Sequence, residues 1–462
     1  MQPTTRAGVP DRERLAAAIA YVAQGLIERE AQSRCLVLSA LCGEHLLFIG
    51  PPGTAKSELA RRLHRIVGGR YFERLLTRFT VPEELFGPLS LAALDEGRYE
   101  RDIDGYLPTA SIAFLDEVFK ANSAILNALL TLLNEREFDQ GAARIVTPLV
   151  SVVAASNEVP DEEALRAFFD RFLFRCMVAP VSDEAFGRLL ERVDRPPGDG
   201  PRLSVPELAA AQAHAQRVAV PEAVRTALFE LRALLATHAI EVSDRRWVRI
   251  VRALRVAALA NGREEVGIDD LCVAPFLVCE RPDQAMLVED WFAALLGAAQ
   301  AVTPERLGRM VDAFEKQIEL EASASELAFD DSGKLSLIQS VGGGDAEAMS
   351  GAAPRMSAFS RRKRYSGTHI RARIAQIDAV LDEVDAFLAA GDRHERAIGE
   401  SLSANLWLVP RIATRITETL AGNRQRIHAQ RERLAHVRQA FAQLPLTDED
   451  DGREPGPVEV AA

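Results

Sequence analysis

The chain has 462 residues, of which 48% are hydrophobic and 26% charged, as is typical of a globular protein. At roughly 150 residues per domain, this length suggests about three domains. The 55 Lys and Arg residues against 67 Asp and Glu residues give a net charge of -12, which disfavours a dedicated nucleic-acid binder.

No pattern in the sequence is typical of export, membrane insertion or a zinc site. The first 30 residues mix charged and apolar side chains, and no apolar run approaches the roughly 18 residues that read as a membrane-spanning helix. The five cysteines are odd in number and none lie at CxxC spacing, which is typical of reduced thiols. We therefore expect a cytoplasmic protein with no membrane span and no nucleic-acid partner.

Strands and helices alternate within residues 1–195. Apolar residues recur at helical spacing over 11–41, and the apolar run at 45–49 that comes next is typical of a buried strand. Similar runs lie at 112–115 and 150–154, with helical segments between them. Strands that alternate with helices predict a parallel sheet covered on both faces, and so an α/β fold.

Beyond this domain the sequence predicts helices. The Pro- and Gly-rich segment 195–201 marks a linker, and residues 202–300 have the pattern of an all-helical second domain. Long apolar stripes in 301–331 and 366–445 predict helices that bury those stripes against one another. We expect a C-terminal helical bundle or stalk.

Two further segments lack the pattern of a packed structure. Residues 332–365 contain three consecutive glycines and few large apolar side chains, which predicts a flexible linker. Residues 446–462 form an acidic tail that we expect to be disordered.

The first strand leads directly into a loop of small residues and then a helix. The loop and the helix start consist of Gly50, Pro51, Pro52, Gly53, Thr54, Ala55, Lys56 and Ser57. Small residues allow backbone N–H groups to surround a β-phosphate, and the helix adds its positive N-terminal end. We expect Lys56 to reach the β- and γ-phosphates and Ser57 to bind Mg²⁺. A Gly/Pro turn before a helix is the alternative.

The loop departs from the strict phosphate-binding pattern at one position. Ala55 stands where that pattern has glycine. This residue must therefore avoid a strongly positive φ or bear its energetic cost.

Polar residues also come after the other two predicted strands. Asp116 and Glu117 end the strand at 112–115, and Asn157 ends the strand that begins at Val150. Asp116 fits an acid that binds Mg²⁺, and Glu117 fits a base that orients and deprotonates an attacking water. Asn157 could hold that water against the γ-phosphate. Taken alone, ordinary acids at a strand end and a turn asparagine are the alternatives.

These three strand ends resemble the Walker A, Walker B and sensor 1 motifs of AAA+ ATPases. The resemblance is closest to the MoxR family and its RavA-like subgroup, and it covers roughly residues 10–300. Further matching segments are 77–79, 82–89, 97–101 and 105–108. The resemblance implies an AAA+ P-loop core, a helical lid, ATP and Mg²⁺ as ligands, and assembly into a hexameric ring. Alanine in the phosphate loop is also found in the RavA-like subgroup.

The same resemblance assigns roles to arginines. Asp170-Arg171-Phe172 matches the segment that supplies an arginine finger to the γ-phosphate of the neighbouring subunit. The segment 243–247 resembles sensor 2, which would bring Arg245 from the lid onto the nucleotide, with Arg246 as second choice. Without the resemblance, surface arginines paired with nearby acids are the simpler interpretation.

The resemblance implies a chaperone-like ATPase that remodels or matures a client protein complex, often with a von Willebrand factor A domain protein. The extra domain with which RavA-like chains contact a decarboxylase is too large for the segment 332–365, so that partner is not expected. Two alternatives stay open, a nucleotide-gated scaffold with negligible hydrolysis and a DNA-linked AAA+ motor.

Overall fold

The computed structural model describes residues 8–160, 162–191, 198, 200–298, 302–327, 337–338, 357–358, 360–447 and 452–460. The chain forms two compact units. The first consists of residues 1–296 and 397–417, and the second of residues 297–396 and 418–462.

A parallel sheet forms the centre of the first unit. The strands of this unit are β1 (Leu46–Ile49), β2 (Tyr71–Leu75), β3 (Ile112–Asp116), β4 (Glu137–Gln140), β5 (Ala143–Val146), β6 (Ser151–Ser156) and β7 (Phe174–Met177). Five of them pair in parallel in the order β2-β3-β6-β1-β7, while β4 and β5 form a separate antiparallel hairpin. Leu46 in the central strand β1 lies opposite Val153 on one side and Phe174 on the other. Every residue of β1 and β6 is buried, as the unbroken apolar runs predict.

Helices cover both faces of this sheet. They are α1 (Arg12–Ala23), α2 (Glu30–Cys42), α3 (Lys56–Val67), α4 (Pro82–Phe86), α5 (Leu91–Asp95), α6 (Ser123–Glu135), α7 (Glu163–Phe169) and α8 (Asp183–Leu190). Asp11 and Asn122 cap α1 and α6 by accepting a hydrogen bond from the backbone N–H three residues on. Leu129 of α6 packs with Leu47 and Leu115 in a core cluster on one face of the sheet.

The rest of the first unit is a helical lid. Its helices are α9 (Val205–Ala215), α10 (Glu222–Thr237), α11 (Asp244–Ala260), α12 (Ala274–Val278) and α13 (Pro282–Ala298).

A segment that is distant in sequence completes the lid. Trp407 is 1% exposed, and its indole N–H donates to the carbonyl of Ala257 at 3.1 Å. The backbone N–H of Leu406 donates to Asn261 at 2.9 Å. The sequence assigns these residues to the C-terminal helical region, whereas the structure packs them into the lid.

The second unit is built on three long helices. Its elements are α14 (Pro304–Ser323), β8 (Ser325–Leu327), β9 (Leu337–Ile338), β10 (Ser357–Ala358), β11 (Ser360–Arg362), α15 (Gly367–Ala404) and α16 (Pro410–Ala442), the last two of which also extend into the first unit. Val311, Ile377 and Leu434 share one buried cluster, so the apolar stripes of the three helices meet as expected. Among the described residues, no helix combines the length and apolar character needed to cross a membrane.

Much of the predicted linker 332–365 and part of the predicted acidic tail 446–462 lie outside the described residues. Where the first segment is described, β9 pairs with β10 and β11 with β8, both antiparallel. In the tail, the carbonyl of Gly456 accepts a hydrogen bond from Arg373 at 2.7 Å.

Candidate nucleotide site

The loop between β1 and α3 is shaped by close backbone contacts. A Cβ atom at Gly50 would lie 2.0 Å from the carbonyl oxygen of Val178, so only glycine fits. Ala55 adopts φ 68° and ψ 21°, which is the left-handed region. Of the two outcomes open from the sequence, the residue therefore bears the cost, which is about 1–2 kcal/mol for a residue with a Cβ atom.

Lys56 carries a positive charge inside this loop. Its side chain is 6% exposed, and Nζ donates to the carbonyls of Gly50 at 2.8 Å and Pro51 at 2.7 Å. Burial lowers the pKa of Lys56, while the carboxylates of Asp116 and Glu117 act in the opposite direction. The ammonium group is thus within electrostatic reach of both strand-end acids.

The two acids lie on a sharp turn at the end of β3. The backbone N–H of Glu117 donates to Oδ1 of Asp116 at 3.0 Å. Glu117 itself adopts φ 53°, a left-handed conformation that costs energy and that clusters at functional sites. Its carboxylate accepts a hydrogen bond from the side-chain amide of Asn157 and lies 3.3 Å from Nζ of Lys120.

Four predicted site residues therefore lie together. Lys56, Asp116, Glu117 and Asn157 all lie at or just beyond the carboxyl ends of β1, β3 and β6, which are neighbours in the sheet. Ser57 is next to Lys56 in the first turn of α3. The hydroxyl of Ser57 and the carboxylate of Asp116 are oxygen ligands of the kind that Mg²⁺ prefers.

Arg29 supports the loop, although no sequence motif points to it. The residue is 5% exposed and directly precedes α2. Its Nε donates to the carbonyl of Thr54 at 3.1 Å, and a terminal nitrogen donates to the carbonyl of Ala179 at 2.8 Å. Burial lowers the pKa of Arg29. This guanidinium ties the phosphate loop to the segment of chain just beyond β7.

The predicted arginine finger, Arg171, and the predicted sensor 2 residue, Arg245, lie at the opposite, amino edge of the sheet. Arg171 precedes β7, and Arg245 in the first turn of α11 donates to Asn134 at the end of α6 at 2.9 Å. Burial, and after it the positive charge of Arg245, lowers the pKa of Arg171. The sequence predicts that Arg245 reaches the nucleotide from the lid; in the structure it lies beside Arg171, at the edge of the sheet opposite the loop that contains Lys56.

A basic cleft lies beside Arg245. Its volume is about 360 Å³, and the described residues that line it include Arg136, Arg245, Arg249 and Arg252 but only one carboxylate, that of Glu44. Two of these arginines are engaged within the chain, because Arg249 pairs with Glu44 and Arg136 donates to backbone carbonyls.

Arg246, the second choice for sensor 2, is committed to the fold. It is 2% exposed. Its guanidinium donates to the carbonyls of Leu277 at 2.6 Å, Phe172 at 3.0 Å and Leu173 at 2.6 Å, and pairs with Asp170 at 3.4 Å. Burial lowers the pKa of Arg246 to about 10. Because its N–H groups bind the chain itself, Arg246 joins the lid to the sheet and leaves Arg245 as the candidate.

Comparisons with known proteins agree with this architecture. Residues 13–195 match the family described as the MoxR domain in the MoxR-vWA-beta-propeller ternary systems, and residues 223–292 match the AAA lid domain. An uncharacterized protein of Methanocaldococcus jannaschii is 42% identical over 264 residues, which cover 57% of this chain and 69% of that protein. A second uncharacterized protein of the same organism is 40% identical over 261 residues, which cover 56% of this chain and 69% of that protein.

Two further similarities are more distant. Chaperone MoxR1 of Mycobacterium tuberculosis is 27% identical over 252 residues, covering 50% of this chain and 65% of that protein. A solved structure of a candidate ATPase from Cytophaga hutchinsonii is 20% identical, covers 58% of this chain and 86% of that chain, and gives a TM-score of 0.49. The predicted α/β fold with a helical lid and C-terminal helices is confirmed, while the RavA-like subgroup stays a prediction. The chain belongs to the MoxR family of AAA+ ATPases.

Proposed function

We propose that this chain hydrolyses ATP with Mg²⁺ in a ring of subunits and uses that reaction to remodel or mature a client protein complex. The observation that carries the proposal is the convergence of Lys56, Asp116, Glu117 and Asn157 at one edge of the sheet. A buried ammonium group, two carboxylates and an amide at neighbouring strand ends suit the cleavage of a terminal phosphate.

Each residue has a distinct task in this reaction. Lys56 and the backbone N–H groups of the loop bind the β- and γ-phosphates, and Ser57 and Asp116 would hold Mg²⁺. When bound, Mg²⁺ neutralises charge on the phosphate oxygens. Glu117 accepts a proton from the attacking water. Asn157, which donates a hydrogen bond to the Glu117 carboxylate, holds that water against the γ-phosphate.

The position of Arg171 and Arg245 supports a site completed between subunits. Both lie at the amino edge of the sheet, whereas the phosphate loop lies at the carboxyl edge of the same sheet. A head-to-tail contact would bring the amino edge of one subunit to the carboxyl edge of the next, and repetition of such a contact forms a ring when the rotation between neighbours closes. We propose that Arg171 acts as the arginine finger and that Arg245 binds the same neighbouring nucleotide, in a hexamer.

The relatives suggest the setting of the reaction. The matched MoxR domain is described from systems that also contain vWA and β-propeller proteins, and one relative is named a chaperone. We propose a von Willebrand factor A domain protein as the partner and a cytoplasmic location.

Two variants test the chemistry. Lys56→Ala should abolish ATP binding, because it removes the charge that the phosphates contact. Glu117→Gln should bind ATP as tightly as wild type but lower the turnover rate by about 10²–10⁴-fold, the usual contribution of a general base. Glu96→Gln, at an exposed carboxylate of the same domain, is the matched control. Equal, measurable turnover in the Glu117 variant and wild type would refute the assigned base, and negligible turnover in both would favour a nucleotide-gated scaffold.

A mixing experiment tests the shared site. Arg171→Ala subunits keep a complete phosphate site, and Glu117→Gln subunits keep a complete finger, so neither should be active alone. In rings mixed in equal amounts, about a quarter of the head-to-tail interfaces combine both intact groups and should recover activity. Failure of well-mixed rings to recover would count against Arg171 as a finger that acts in the neighbouring site.

A further inference from the structure

One face of the lid helix α11 contacts the chain segment 170–173, which includes Arg171. Ser243, which caps α11, and Arg246 and Arg249 within α11 recur every third residue and so lie on the same side of the helix. All three contact residues 170–173, which lead into β7.

Each of these three lid residues donates a hydrogen bond to a different residue of the segment 170–172. The hydroxyl of Ser243 donates to Asp170 at 3.1 Å. Arg249 donates to the backbone carbonyl of Arg171 at 3.2 Å. Arg246 donates to the next carbonyl, that of Phe172, at 3.0 Å. The lid therefore holds the carboxylate of Asp170 and the backbone carbonyls of Arg171 and Phe172, directly before and after the Arg171 side chain.

Arg249 is itself held in place. Its Nε donates to one carboxylate oxygen of Glu44 at 3.2 Å, and a terminal nitrogen pairs with the other oxygen. Both side chains are 14% exposed, so this two-point ion pair is largely shielded from solvent. Glu44 precedes β1, and the guanidinium of Arg249 thus connects the start of the central strand to the carbonyl of Arg171.

The Arg171 side chain lacks an equivalent restraint. Its Nε is buried without a hydrogen-bond partner among the described residues. The positive charges of Arg245 and Arg249 repel its guanidinium, and the carboxylate of Asp170, which is itself held by Ser243 and Arg246, attracts it. The direction of this side chain therefore depends on how firmly its backbone is held.

We propose that the lid positions the arginine finger, and that Arg249, held by Glu44, is the positioning residue that acts through Arg171. This inference rests on the proposed role of Arg171 in the neighbouring site. Its consequence is that the finger moves with α11. The lid of one subunit then controls hydrolysis in the next subunit rather than in its own site.

Arg249→Ala in the full chain tests this inference. The turnover rate should fall by about tenfold or more, because a displacement of about 1 Å at a catalytic group costs on the order of 10²-fold. The KM for ATP should stay unchanged, since the phosphate loop is intact. Arg249→Lys should keep part of the activity because lysine retains the pairing with Glu44. Arg225→Ala, at an exposed arginine of the lid, is the matched control.

Mixed rings separate positioning from a general structural role. Arg249→Ala subunits mixed with Glu117→Gln subunits should recover activity as Arg171→Ala subunits do, and adding Arg249→Ala to Arg171→Ala should cause no further loss. A raised KM with unchanged turnover, or recovery with Arg171→Ala but not with Arg249→Ala, would overturn the positioning role alone. No recovery with Arg171→Ala would instead overturn the shared site. If Arg249→Ala fails to assemble, Glu44→Gln carries the same test, with a smaller loss of turnover expected.

Discussion

The buried imidazole of His45 predicts that acid destabilises the sheet. His45 directly precedes β1 and is 1% exposed. The backbone N–H of Val152 donates to its Nδ1 at 3.0 Å, so the proton of the neutral ring lies on Nε2, which is 3.0 Å from the carbonyl of Leu133. Burial, together with the positive charge of Arg136, lowers the pKa of His45 well below 6.5. The folded protein therefore keeps this ring neutral under conditions that protonate it in the unfolded chain.

The size of this loss of stability follows from the difference in proton binding between the folded and unfolded states. Because the folded pKa is depressed, the contribution of His45 to stability is complete above the unfolded value of 6.5 and is lost as the pH falls below it. Between about pH 7.5 and about pH 5, a histidine that stays neutral in the folded state lowers the free energy of unfolding by at most about 2 kcal/mol.

The His45→Gln variant isolates the contribution of His45 to the pH dependence of the free energy of unfolding. Glutamine supplies one hydrogen-bond donor and one acceptor but gains no charge in acid. We expect the free energy of unfolding, measured by urea denaturation at both pH values, to fall more in wild type than in the variant, by at most about 2 kcal/mol. His238→Gln, which removes an exposed imidazole, is the control. Equal pH dependence in wild type and His45→Gln would refute the reasoning.

Three further predictions concern other strained or buried positions. Ala55→Gly should raise the melting temperature slightly, because relief of the left-handed strain of about 1–2 kcal/mol exceeds the extra chain entropy of glycine, about 0.5–1 kcal/mol; a lower melting temperature would contradict this. Trp407→Ala should cost about 3–5 kcal/mol in denaturant unfolding, whereas Val248→Ala, at a lid residue that is 54% exposed, should cost far less; similar costs would contradict the burial of Trp407. Burial raises the pKa of Asp270 from 3.8 to about 7, so its contribution to stability is lost as the pH rises through that window. Asp270→Asn should therefore make stability rise more steeply with pH in the same range, and an unchanged slope would contradict the assignment.

The local parts of the site could be predicted from the sequence. An apolar run that ends in Gly50, and another that ends in Asp116 and Glu117, mark two strands and the polar or glycine-containing turns directly after them. Parallel strands bring such ends to one edge of the sheet, so Asn157 could be placed near them from the fold class alone.

The contacts between distant segments could not be predicted in this way. A helix start at Ser243 is visible as a capping residue, but the sequence does not say against which edge of the sheet that helix packs, and this decides where Arg245 lies. Arg29 and Trp407 make their hydrogen bonds to backbone carbonyls far along the chain. Because every residue has a backbone carbonyl, no residue type in the sequence identifies the carbonyls that accept these hydrogen bonds.

The burial of Trp407 in the lid affects how the first unit can be isolated. Removing everything after residue 296 looks natural from the linear order, but it would delete the segment 397–417 that belongs to the first unit. The lid would then lose a side chain that is 1% exposed and would present its apolar socket to water. Such a shortened protein would tend to self-associate through the exposed apolar surface. Its apparent molecular mass would then be a poor guide to the oligomeric state of the full chain.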